Sequence, residues 1–500
     1  MAHEHHSIVI IGAGLSGIGM ACHLARECPD KRFSIIERRD NIGGTWDLFR
    51  YPGIRSDSDM FSFGYRFRPW NELKVLADGP SIRQYISETA DQYGITQHIQ
   101  FGTDVSAADW SSAEQRWTLK VQDNASGQTR HISCDFLISC TGYYNHRSGY
   151  LPDFPGIEQF NGQCIHPQHW PEHLDYQGKR IVVIGSGATA VTLVPAMAES
   201  AAHITLLQRS PSYIFSVPGQ DKLSALLRRF LPESWVYTLA RKRNIRLQRW
   251  MFKAAKRWPN KVRAVLLKGV RKQLPDDFDM RHFSPSYKPW DERLCAVPDG
   301  DLFRAISNGK ASIVTDRIKS FTERGIALES GQQLDADIII TATGLQVQVL
   351  GGLALSLDGK PCLLNQHLTY KGVMVDDVPN MGWIFGYTNA SWTLKADIAA
   401  AYFCRLLKHM DQHQYQAVVA HDAEGCAESE SIMGALRSGY VQRANEVLPR
   451  QGSKLPWRLL NDYARDSQML LDEPVADRYL RFSPANAVHS SLKAELQLRF

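Results

Sequence analysis

The sequence lacks paired or clustered cysteines. Its nine cysteines are scattered over 500 residues, with no CxxC pair and no Cys/His group at metal-ligand spacing. This distribution argues against a structural zinc site and against a disulfide framework. It also argues against the disulfide reductases that share nucleotide-binding folds, because Cys22 and Cys28 have the wrong spacing for a redox pair. We expect reduced thiols, a cytoplasmic location and no metal.

Long apolar runs and export signals are also missing. No uninterrupted stretch of about 18 apolar residues occurs, and the start MAHEHHSIVIIGAG lacks the ordered charged, apolar and cleavage regions of a signal peptide. We therefore expect neither a membrane span nor export. Tandem repeats and low-complexity tracts are absent, and the length exceeds one ordinary core, which favours two or three globular domains.

Charge is distributed unevenly along the chain. The net charge is only +5, but residues 221–275 carry sixteen Lys or Arg against Asp221 and Glu233. That segment has a net charge of +14 and the remainder of the chain has −9. A basic segment of this kind is typical of an element that contacts a membrane surface or another polyanion, or of a solvated helical face.

A first nucleotide-binding motif lies near the start. SIVIIGAGLSGIGMACHLA predicts a buried strand, a turn containing Gly12, Gly14 and Gly17, and a helix. The three glycines permit a tight turn, the approach of a pyrophosphate and close helix packing. The next strand, FSIIE, ends in Glu37, where a carboxylate can accept hydrogen bonds from a ribose diol. This half suits FAD or NAD.

A second motif follows in KRIVVIGSGATAVTLVPAMA, where Gly185, Gly187 and Ala190 form GxGxxA. Its following strand, HITLLQRS, ends in Gln208 and Arg209, so the ribose position is cationic. A cation there favours a 2′-phosphate, which predicts NADPH as the ligand of this half. The alternative is a surface arginine without a ligand.

Two further strands resemble each other. CDFLISCTG (134–142) and ADIIITATG (336–344) both read as apolar strands that end in Thr-Gly. Each is expected to close one nucleotide-binding unit. The sequence therefore predicts an α/β fold with two Rossmann-like dinucleotide-binding domains and a helical insert.

Two longer motifs point to a family. FNGQCIHPQHWP matches the fingerprint FxGxxxHxxxW(P/D) with Phe160, Gly162, His166, Trp170 and Pro171, and GGTWDLFRYPGIRSD (43–57) matches (A/G)GxWxxxx(F/Y)P(G/M)xxxD. The chain resembles the Baeyer-Villiger monooxygenases, which are FAD/NADPH flavoprotein monooxygenases. It is most similar to the subgroup of ethionamide-activating and long-chain alkane-oxidising flavoproteins. We interpret 160–171 as a linker that holds two domains in register.

The resemblance implies a reaction. An FAD-containing enzyme would use NADPH and O2 to convert hydrophobic ketones to esters or lactones through a C4a-peroxyflavin, with S-oxygenation of sulfides or thioamides as a further activity. Hydroxylation of long-chain alkanes and plain N- or S-oxygenation are the alternatives, and a non-catalytic FAD-binding protein is the rival class. Specific substrate and oligomeric state do not follow from the sequence.

The resemblance also implies site residues. Arg293, in PWDERLC (289–295), matches the catalytic arginine, and Asp57 matches the carboxylate that orients it. Glu292 stands where many relatives have Lys, and a surface pair of Arg293 with Asp291 or Glu292 is the alternative. The other expected FAD contacts are Ser16, Thr45, Trp46, Asp47, Leu48 and Val105. Arg55, Ser56 and Asp57 are expected where FAD and NADPH meet, and Ser186, Ala188 and Thr189 at the NADPH phosphates.

The predicted domains alternate along the chain. They are an FAD-binding domain (1–155 and 380–500), an NADPH-binding domain (156–215 and 281–379) and a basic helical insert (216–280).

The insert shows apolar residues at helical spacing, namely Leu247, Trp250, Met251, Ala254 and Trp258. We favour a cover over the substrate pocket, with this face packed on the domains. Peripheral contact with the inner face of the cell membrane stays open for 221–275. No nucleic-acid reader motif accompanies the charge, so nucleic acid is not an expected partner.

Overall fold

The computed structural model describes residues 4–434, 436 and 438–484, so the predicted end of the first domain at 485–500 lies outside the described residues. The strands are β1 (Glu4–Ile11), β2 (Phe33–Ile36), β3 (Ile99–Gln100), β4 (Thr103–Ser111), β5 (Arg116–Asp123), β6 (Thr129–Ser139), β7 (Tyr144–Gly149), β8 (Gln163–Ile165), β9 (Arg180–Ile184), β10 (His203–Gln208), β11 (Ile214–Val217), β12 (Cys295–Pro298), β13 (Ala311–Thr315), β14 (Ile318–Thr322), β15 (Gly325–Leu328), β16 (Gln333–Asp335), β17 (Ile338–Thr341), β18 (Leu345–Val347), β19 (Ala354–Leu357), β20 (Lys360–Pro361), β21 (Thr369–Tyr370), β22 (Met374–Val375), β23 (Met381–Trp383), β24 (Tyr415–Ala420), β25 (Ala427–Ser431), β26 (Arg450–Gly452) and β27 (Leu480–Pro484).

The α-helices are α1 (Leu15–Glu27), α2 (Thr45–Leu48), α3 (Met60–Phe63), α4 (Gly79–Gln92), α5 (Ala188–Met197), α6 (Lys222–Leu227), α7 (Glu233–Arg257), α8 (Pro259–Arg271), α9 (Asp301–Ser307), α10 (Trp392–Gln412), α11 (Gly439–Ala444) and α12 (Tyr463–Ser467). None of the helices in the described residues combines the length and apolarity needed to cross a bilayer.

A large sheet organises the first nucleotide-binding unit. Its parallel part runs β3, β2, β1, β6 and β23. The first half of β6 also pairs with β5 in an antiparallel branch that continues to β4. Both faces of β1 are buried, because Ile8 and Ile10 pack in one core and Val9 and Ile11 in another. A strand buried on both faces explains the continuous apolar run in the sequence.

A second, wholly parallel sheet organises the other unit in the order β13, β10, β9, β17 and β8. Helix α5 connects β9 to its parallel neighbour β10, which forms the predicted βαβ unit. The closing strands are also confirmed, since β6 lies beside β1 and β17 lies beside β9. The predicted α/β class with two Rossmann-like units is therefore confirmed.

The point at which the chain returns from the second unit to the first was expected at residue 380. The predicted second unit extends to residue 379, yet β19 pairs with β4 and β22 pairs with β23 in the first sheet. We therefore propose that the chain returns to the first unit by residue 354. The segment was misplaced because short strands that add to an existing sheet edge carry little periodicity of their own.

The basic insert is helical, as predicted, and consists of α6, α7 and α8. The expectation that its apolar face packs on the domains is corrected at three positions. Leu247, Trp250 and Trp258 are exposed, whereas Ala254 and Arg241 are buried. Arg241 donates hydrogen bonds to the carbonyl oxygens of Phe61 (2.8 Å) and Gly64 (2.6 Å), so a cation anchors the helix.

Candidate functional site

A first cleft opens where β1 meets α1. Gly12 has φ +103° and a Cβ there would lie 2.8 Å from the carbonyl oxygen of Cys140 in β6's following turn. A Cβ on Gly17 would lie 1.8 Å from the carbonyl oxygen of Gly12. These clashes explain why the turn carries glycine at both positions. Gly14 faces Gly44, and together they leave backbone, without side chains, along the cleft wall.

The ribose end of this cleft is formed by Glu37. Its carboxylate accepts hydrogen bonds from the amides of Ala13 (2.6 Å) and Arg39 (2.8 Å). Burial raises the pKa of Glu37, and those two amide donors act in the opposite direction. The carboxylate thus sits where the glycine turn ends, as the motif predicts.

The cleft has a volume of about 300 Å³. Most of the predicted FAD contacts line it, including Gly12, Gly14, Ser16, Glu37, Thr45, Trp46, Arg55, Ser56, Asp57 and Val105. Gly17, Asp47 and Leu48 do not. Leu48 packs in the core of the second unit. Asp47 is fully buried and binds Arg39 (2.7 Å), Arg50 (3.0 Å) and Arg83 (3.2 Å).

The residues present fit a dinucleotide. Helix α1 begins beside the Gly14–Gly44 wall, has no side-chain cap and no acidic residue in its first turn. Its free amide groups and the positive end of its dipole therefore face the cleft and favour a pyrophosphate. Ser16 is held in place because Trp392 donates its indole N–H to the hydroxyl (2.8 Å).

The second turn repeats this geometry. Gly185 has φ +139° and a Cβ would lie 2.3 Å from the carbonyl oxygen of Ala342, whereas a Cβ on Gly187 would enter open space. Helix α5 follows with no side-chain cap and no acidic residue in its first turn. Ser186 accepts a hydrogen bond from Ser212 (3.0 Å) and Ala190 is buried against the core. The turn can therefore receive a second phosphate group.

The two residues predicted to lie at the 2′-phosphate of the ribose, Gln208 and Arg209, have different surroundings. Gln208 is buried and its amide donates to the carbonyl oxygen of His282 (2.7 Å) and to the hydroxyl of Thr315 (2.8 Å). Arg209 is exposed at the end of β10. Burial raises the pKa of Glu292 and the positive charge of Arg209 opposes that rise, which places the two side chains near each other. Arg209 remains available to a phosphate.

Other predicted contacts lie at the junction of the two units. Ala188, the first residue of α5, lines the first cleft. Tyr51 has its pKa raised to about 12 by burial, and a hydrogen bond with Thr189 opposes the rise. Arg55 forms an ion pair with Asp301 of α9 (2.5 Å). This pair joins the loop after α2 to the second unit.

Arg293 lies at the centre of the junction. It lines the first cleft and also a second cavity of about 1170 Å³. Its terminal nitrogen donates a hydrogen bond to the hydroxyl of Tyr143 (2.9 Å), and its Nε is buried with no partner in the described part of the chain. A buried donor without a partner is costly, so its presence in a cavity points to a ligand that would accept from it.

Asp57 lines the same two cavities as Arg293. Its predicted contact with Arg293 is a charge interaction and not a direct ion pair. The pKa of Arg293 is raised by Tyr143 and Tyr440 first, and also by the Asp57 carboxylate. Among the described residues, Asp57 and Arg293 form no ion pair within 4.0 Å, and the hydrogen bond that orients Arg293 is the one it donates to the hydroxyl of Tyr143. The guanidinium is thus charged, and a phenol positions it.

Sequence reasoning missed this aromatic support. Tyr143 bonds to Tyr144 through their hydroxyl groups (2.7 Å) and stacks on Trp392 with ring centroids 5.3 Å apart. The sequence contained a signal for these residues, since Tyr143 and Tyr144 directly follow the Thr-Gly pair that comes just after β6. The carboxyl ends of parallel strands are where ligands bind in such sheets.

The segment 160–171, predicted to be a linker, contacts the second sheet and β7. Its strand β8 pairs with β17 in the second sheet. The His166 ring packs on Gly149, where a Cβ would lie 1.9 Å from the ring, and its Nε2 bonds to the carbonyl oxygen of Gly344 (3.2 Å). Gln168 donates to the carbonyl oxygen of Asn145 (2.8 Å). These bonds fix β7 against the second sheet.

The second cavity meets the first cleft at Asp57, Arg293 and Tyr387. Helix α7 of the insert supplies one wall, as predicted for a pocket cover. The apolar lining comes from several elements and includes Val75, Phe215, Leu223, Leu247, Met251, Phe252 and Leu294. This cavity can take an apolar molecule next to Arg293.

Comparison with known proteins shows the family. Residues 71–350 match the model described as flavin-binding monooxygenase-like, and residues 10–73 match an NAD(P)-binding Rossmann-like domain. MymA of Mycobacterium tuberculosis, named as an FAD-containing monooxygenase, is 57% identical over 98% of this chain and 100% of the relative. The FAD-containing monooxygenase EthA of the same organism is 50% identical over 96% and 98% of the two chains. The chain belongs to the flavin-binding monooxygenase-like family, and it is a flavoprotein oxidoreductase.

Solved structures share the fold. Oxidised steroid monooxygenase bound to NADP has a TM-score of 0.78 at 20% identity, over 96% of this chain and 100% of that chain. Closed cyclohexanone monooxygenase has a TM-score of 0.74 at 19% identity, over 97% and 100%. The predicted cofactors, FAD and NADPH, agree with the family description and with the ligand named in the steroid monooxygenase structure.

Proposed function

We propose that this chain is an FAD- and NADPH-dependent monooxygenase that inserts one atom of O2 beside the carbonyl of hydrophobic ketones, giving esters or lactones. The observation that carries the proposal is the position of Arg293, a charged side chain with a spare donor where a nucleotide cleft meets an apolar cavity. Bound FAD, once reduced by NADPH, would supply the activation of O2.

Different residues of the chain would bind the two cofactors. The turn at Gly12 and Gly14, with Glu37, would bind the pyrophosphate and ribose of FAD. The turn at Gly185 and Gly187 would bind NADPH, and Arg209 would bind its 2′-phosphate. Two such sites would bring both nucleotides towards the junction where Arg55 and Asp301 join the units.

Arg293 would stabilise negative charge on the oxygen that is transferred. A unit positive charge at about 4 Å is worth roughly 4 kcal/mol at an effective dielectric constant near 20. Tyr143 holds the guanidinium in one orientation, so little reorganisation is needed during the reaction. The apolar part of the cavity lining, which includes Val75, Phe215 and Leu294, favours ketones with large hydrocarbon parts.

Oxygen transfer to the sulfur of sulfides or thioamides is a second activity that we propose for the same site. Transfer to sulfur is favoured when the transferred oxygen carries a proton. Tyr143 and Tyr144 place two hydroxyl groups beside Arg293, and burial raises the pKa of Tyr144 to about 12, so it stays a neutral hydroxyl that could donate a hydrogen bond to a protonated oxygen without adding negative charge beside it.

Incubation with NADPH, ¹⁸O-labelled O2 and a long-chain ketone tests the main proposal. We expect an ester that contains one labelled oxygen atom, detected by mass spectrometry. Lys288→Ala, which removes an exposed cation from the same segment, should form the same ester. Consumption of NADPH with labelled alcohol as the product from an alkane, and no ester from any ketone, would overturn it in favour of hydroxylation.

A further inference from the structure

The exposed apolar side chains of this protein are concentrated on the insert. Thirteen large hydrophobic residues in the described part of the chain are exposed, and nine of them lie between residues 216 and 280. The most exposed are Phe230 (76%), Val265 (71%), Trp235 (65%) and Trp250 (64%). Scattered exposed apolar residues are ordinary, but a concentration on one small element marks a contact surface.

Helix α7 arranges part of this surface as one stripe. Positions separated by three or four residues share a helix face, and those facing solvent include both apolar and basic residues. We call this set the α7 stripe, and it consists of Trp235, Leu239, Lys242, Arg246, Trp250, Lys253 and Arg257. All seven side chains are exposed. The opposite face is packed, since Val236, Tyr237 and Ala240 are buried.

The cations of the stripe are mostly unpaired. Lys253 lies 3.7 Å from Asp462, whereas Lys242, Arg246 and Arg257 have no acidic partner in the described part of the chain. Arg229 of the preceding segment and Lys261 and Lys268 of α8 likewise have none there. Neighbouring helices thus add to the positive charge around the exposed tryptophans.

We propose that the α7 stripe, with Phe230 and Val265 beside it, docks this protein on the surface of an anionic lipid bilayer. Tryptophan and leucine can enter the interface between headgroups and acyl chains, while lysine and arginine extend to the phosphates. A protein partner fits the surface less well, because lysine is depleted from the cores of protein interfaces. A nucleic acid fits less well, because exposed tryptophan and leucine would not contact its phosphates.

The cavity beside Arg293 is bordered by the same insert. Leu223 of α6 and Leu247 of α7 line the cavity and are also half exposed, so they stand at its mouth, next to the α7 stripe but outside it. A bilayer against α6 and α7 would bring that mouth close to the lipid. Apolar substrates dissolved in the membrane could then enter without crossing water. This second part rests on the proposed function, whereas docking itself does not.

Co-sedimentation of the full-length holoenzyme with vesicles tests the docking. We expect binding to vesicles that contain phosphatidylglycerol at low salt, weaker binding at high salt, and little binding to pure phosphatidylcholine. Lys242→Glu combined with Arg246→Glu should weaken binding at least about tenfold. Lys310→Glu combined with Lys319→Glu makes the same change of charge in the second unit at two exposed lysines, and it should bind nearly as the unaltered protein does.

Trp250→Ala tests the apolar part, with Leu363→Ala as its control at another exposed position. We expect Trp250→Ala to weaken vesicle binding several-fold and Leu363→Ala to leave it unchanged. Equal effects of the two double variants, or retention on RNA but not on vesicles, would overturn the proposal. Consumption of NADPH with a water-soluble ketone, measured without vesicles, should be unaltered in every variant, so failure of docking is distinguishable from failure of the proposed chemistry.

Discussion

Two charged side chains of the nucleotide-binding units, Arg209 and Asp47, differ in burial and in the charges around them. Arg209 is exposed and free to meet a phosphate, whereas Asp47 is fully buried and already bound by three arginines. Both were predicted to contact a cofactor, yet the structure gives them opposite surroundings. Nucleotide kinetics therefore test Arg209, whereas the pH dependence of stability tests Asp47.

Replacing Arg209 should change nucleotide selectivity. We expect Arg209→Ala to raise the KM for NADPH by about 10- to 100-fold, because a charge-assisted contact to the 2′-phosphate is lost. The KM for NADH should change much less, since NADH lacks that phosphate. Steady-state kinetics with both nucleotides measure this, with Lys310→Ala as a control for the loss of one cation from the same unit. Equal losses with NADPH and NADH would contradict the role given to Arg209.

Replacing Asp47 should change the pH dependence of stability. Burial opposes ionisation of Asp47, but Arg39 and the other arginines overcome it and lower its pKa. Its stabilising contribution is therefore fully present above the usual aspartate pKa of about 3.9 and is lost as pH falls through the lowered folded value. We expect Asp47→Asn to lower the free energy of unfolding by about 1–3 kcal/mol at pH 7.

Thermal unfolding between pH 7 and pH 3 measures this effect. The difference between Asp47→Asn and the unaltered protein should shrink below about pH 4, as both then lack the charge. Asp277→Asn, at an exposed aspartate, should show no difference at any pH. A difference for Asp47→Asn that stayed constant down to pH 3 would show that packing, and not charge, is responsible.

Residue roles could be predicted only where a motif fixes the backbone. The glycine turns place Gly12, Gly14 and Glu37 in the cleft because their spacing dictates the geometry. Tyr143 could not be found in that way, since its contact with Arg293 joins residues 150 positions apart. The ion pairs of Asp47 could not be predicted for a similar reason, because the arginines that surround it come from separate parts of the chain.

At the scale of elements, the two glycines in the turn before α5, Gly185 and Gly187, have different roles. A Cβ at residue 185 would clash with the backbone of Ala342, and the substituted residue would have to keep a positive φ. A Cβ at Gly187 would enter open space at the helix N-terminus. The first position therefore concerns the fold, and the second concerns the ligand.

This difference predicts opposite results for matched variants. We expect Gly185→Ala to lower the free energy of unfolding by about 2–4 kcal/mol. Gly187→Ala should cost at most about 1 kcal/mol, but it should raise the KM for NADPH at least about tenfold, because the methyl group occupies the phosphate site. Thermal unfolding and NADPH kinetics on both variants measure this. An unchanged KM for Gly187→Ala would place the nucleotide elsewhere.

The βαβ elements were predictable because strand, turn and helix are contiguous in sequence. The orientation of α7 was not, because its apolar residues spread over more than one face. Leu247, Trp250 and Trp258 were expected to pack on the domains and are exposed, while the packed face includes Arg241, whose donors reach carbonyl oxygens of another segment. Burial of a cation depends on such tertiary partners, which periodicity does not reveal.

At the scale of the whole molecule, two nucleotide-binding units meet at one charged side chain. Three features tie the units together: the ion pair of Arg55 with Asp301, the linker at 160–171 and the bond of Arg293 to Tyr143. Under the proposed function, flavin reduction would depend on how the two nucleotides are held across this junction. Oxygen transfer would require Arg293 in addition, so removal of its charge should separate the two steps.

The most direct test is the coupling of NADPH consumption to product in Arg293→Ala. We expect this variant to retain FAD and to consume NADPH at a reduced rate, while hydrogen peroxide replaces ester as the product. Lys288→Ala should keep ester formation coupled, and Arg293→Lys should keep part of it, since it restores the charge without the donor geometry. If Arg293→Ala instead formed ester in proportion to the NADPH it consumed, Arg293 would have no part in oxygen transfer and the central claim would be contradicted.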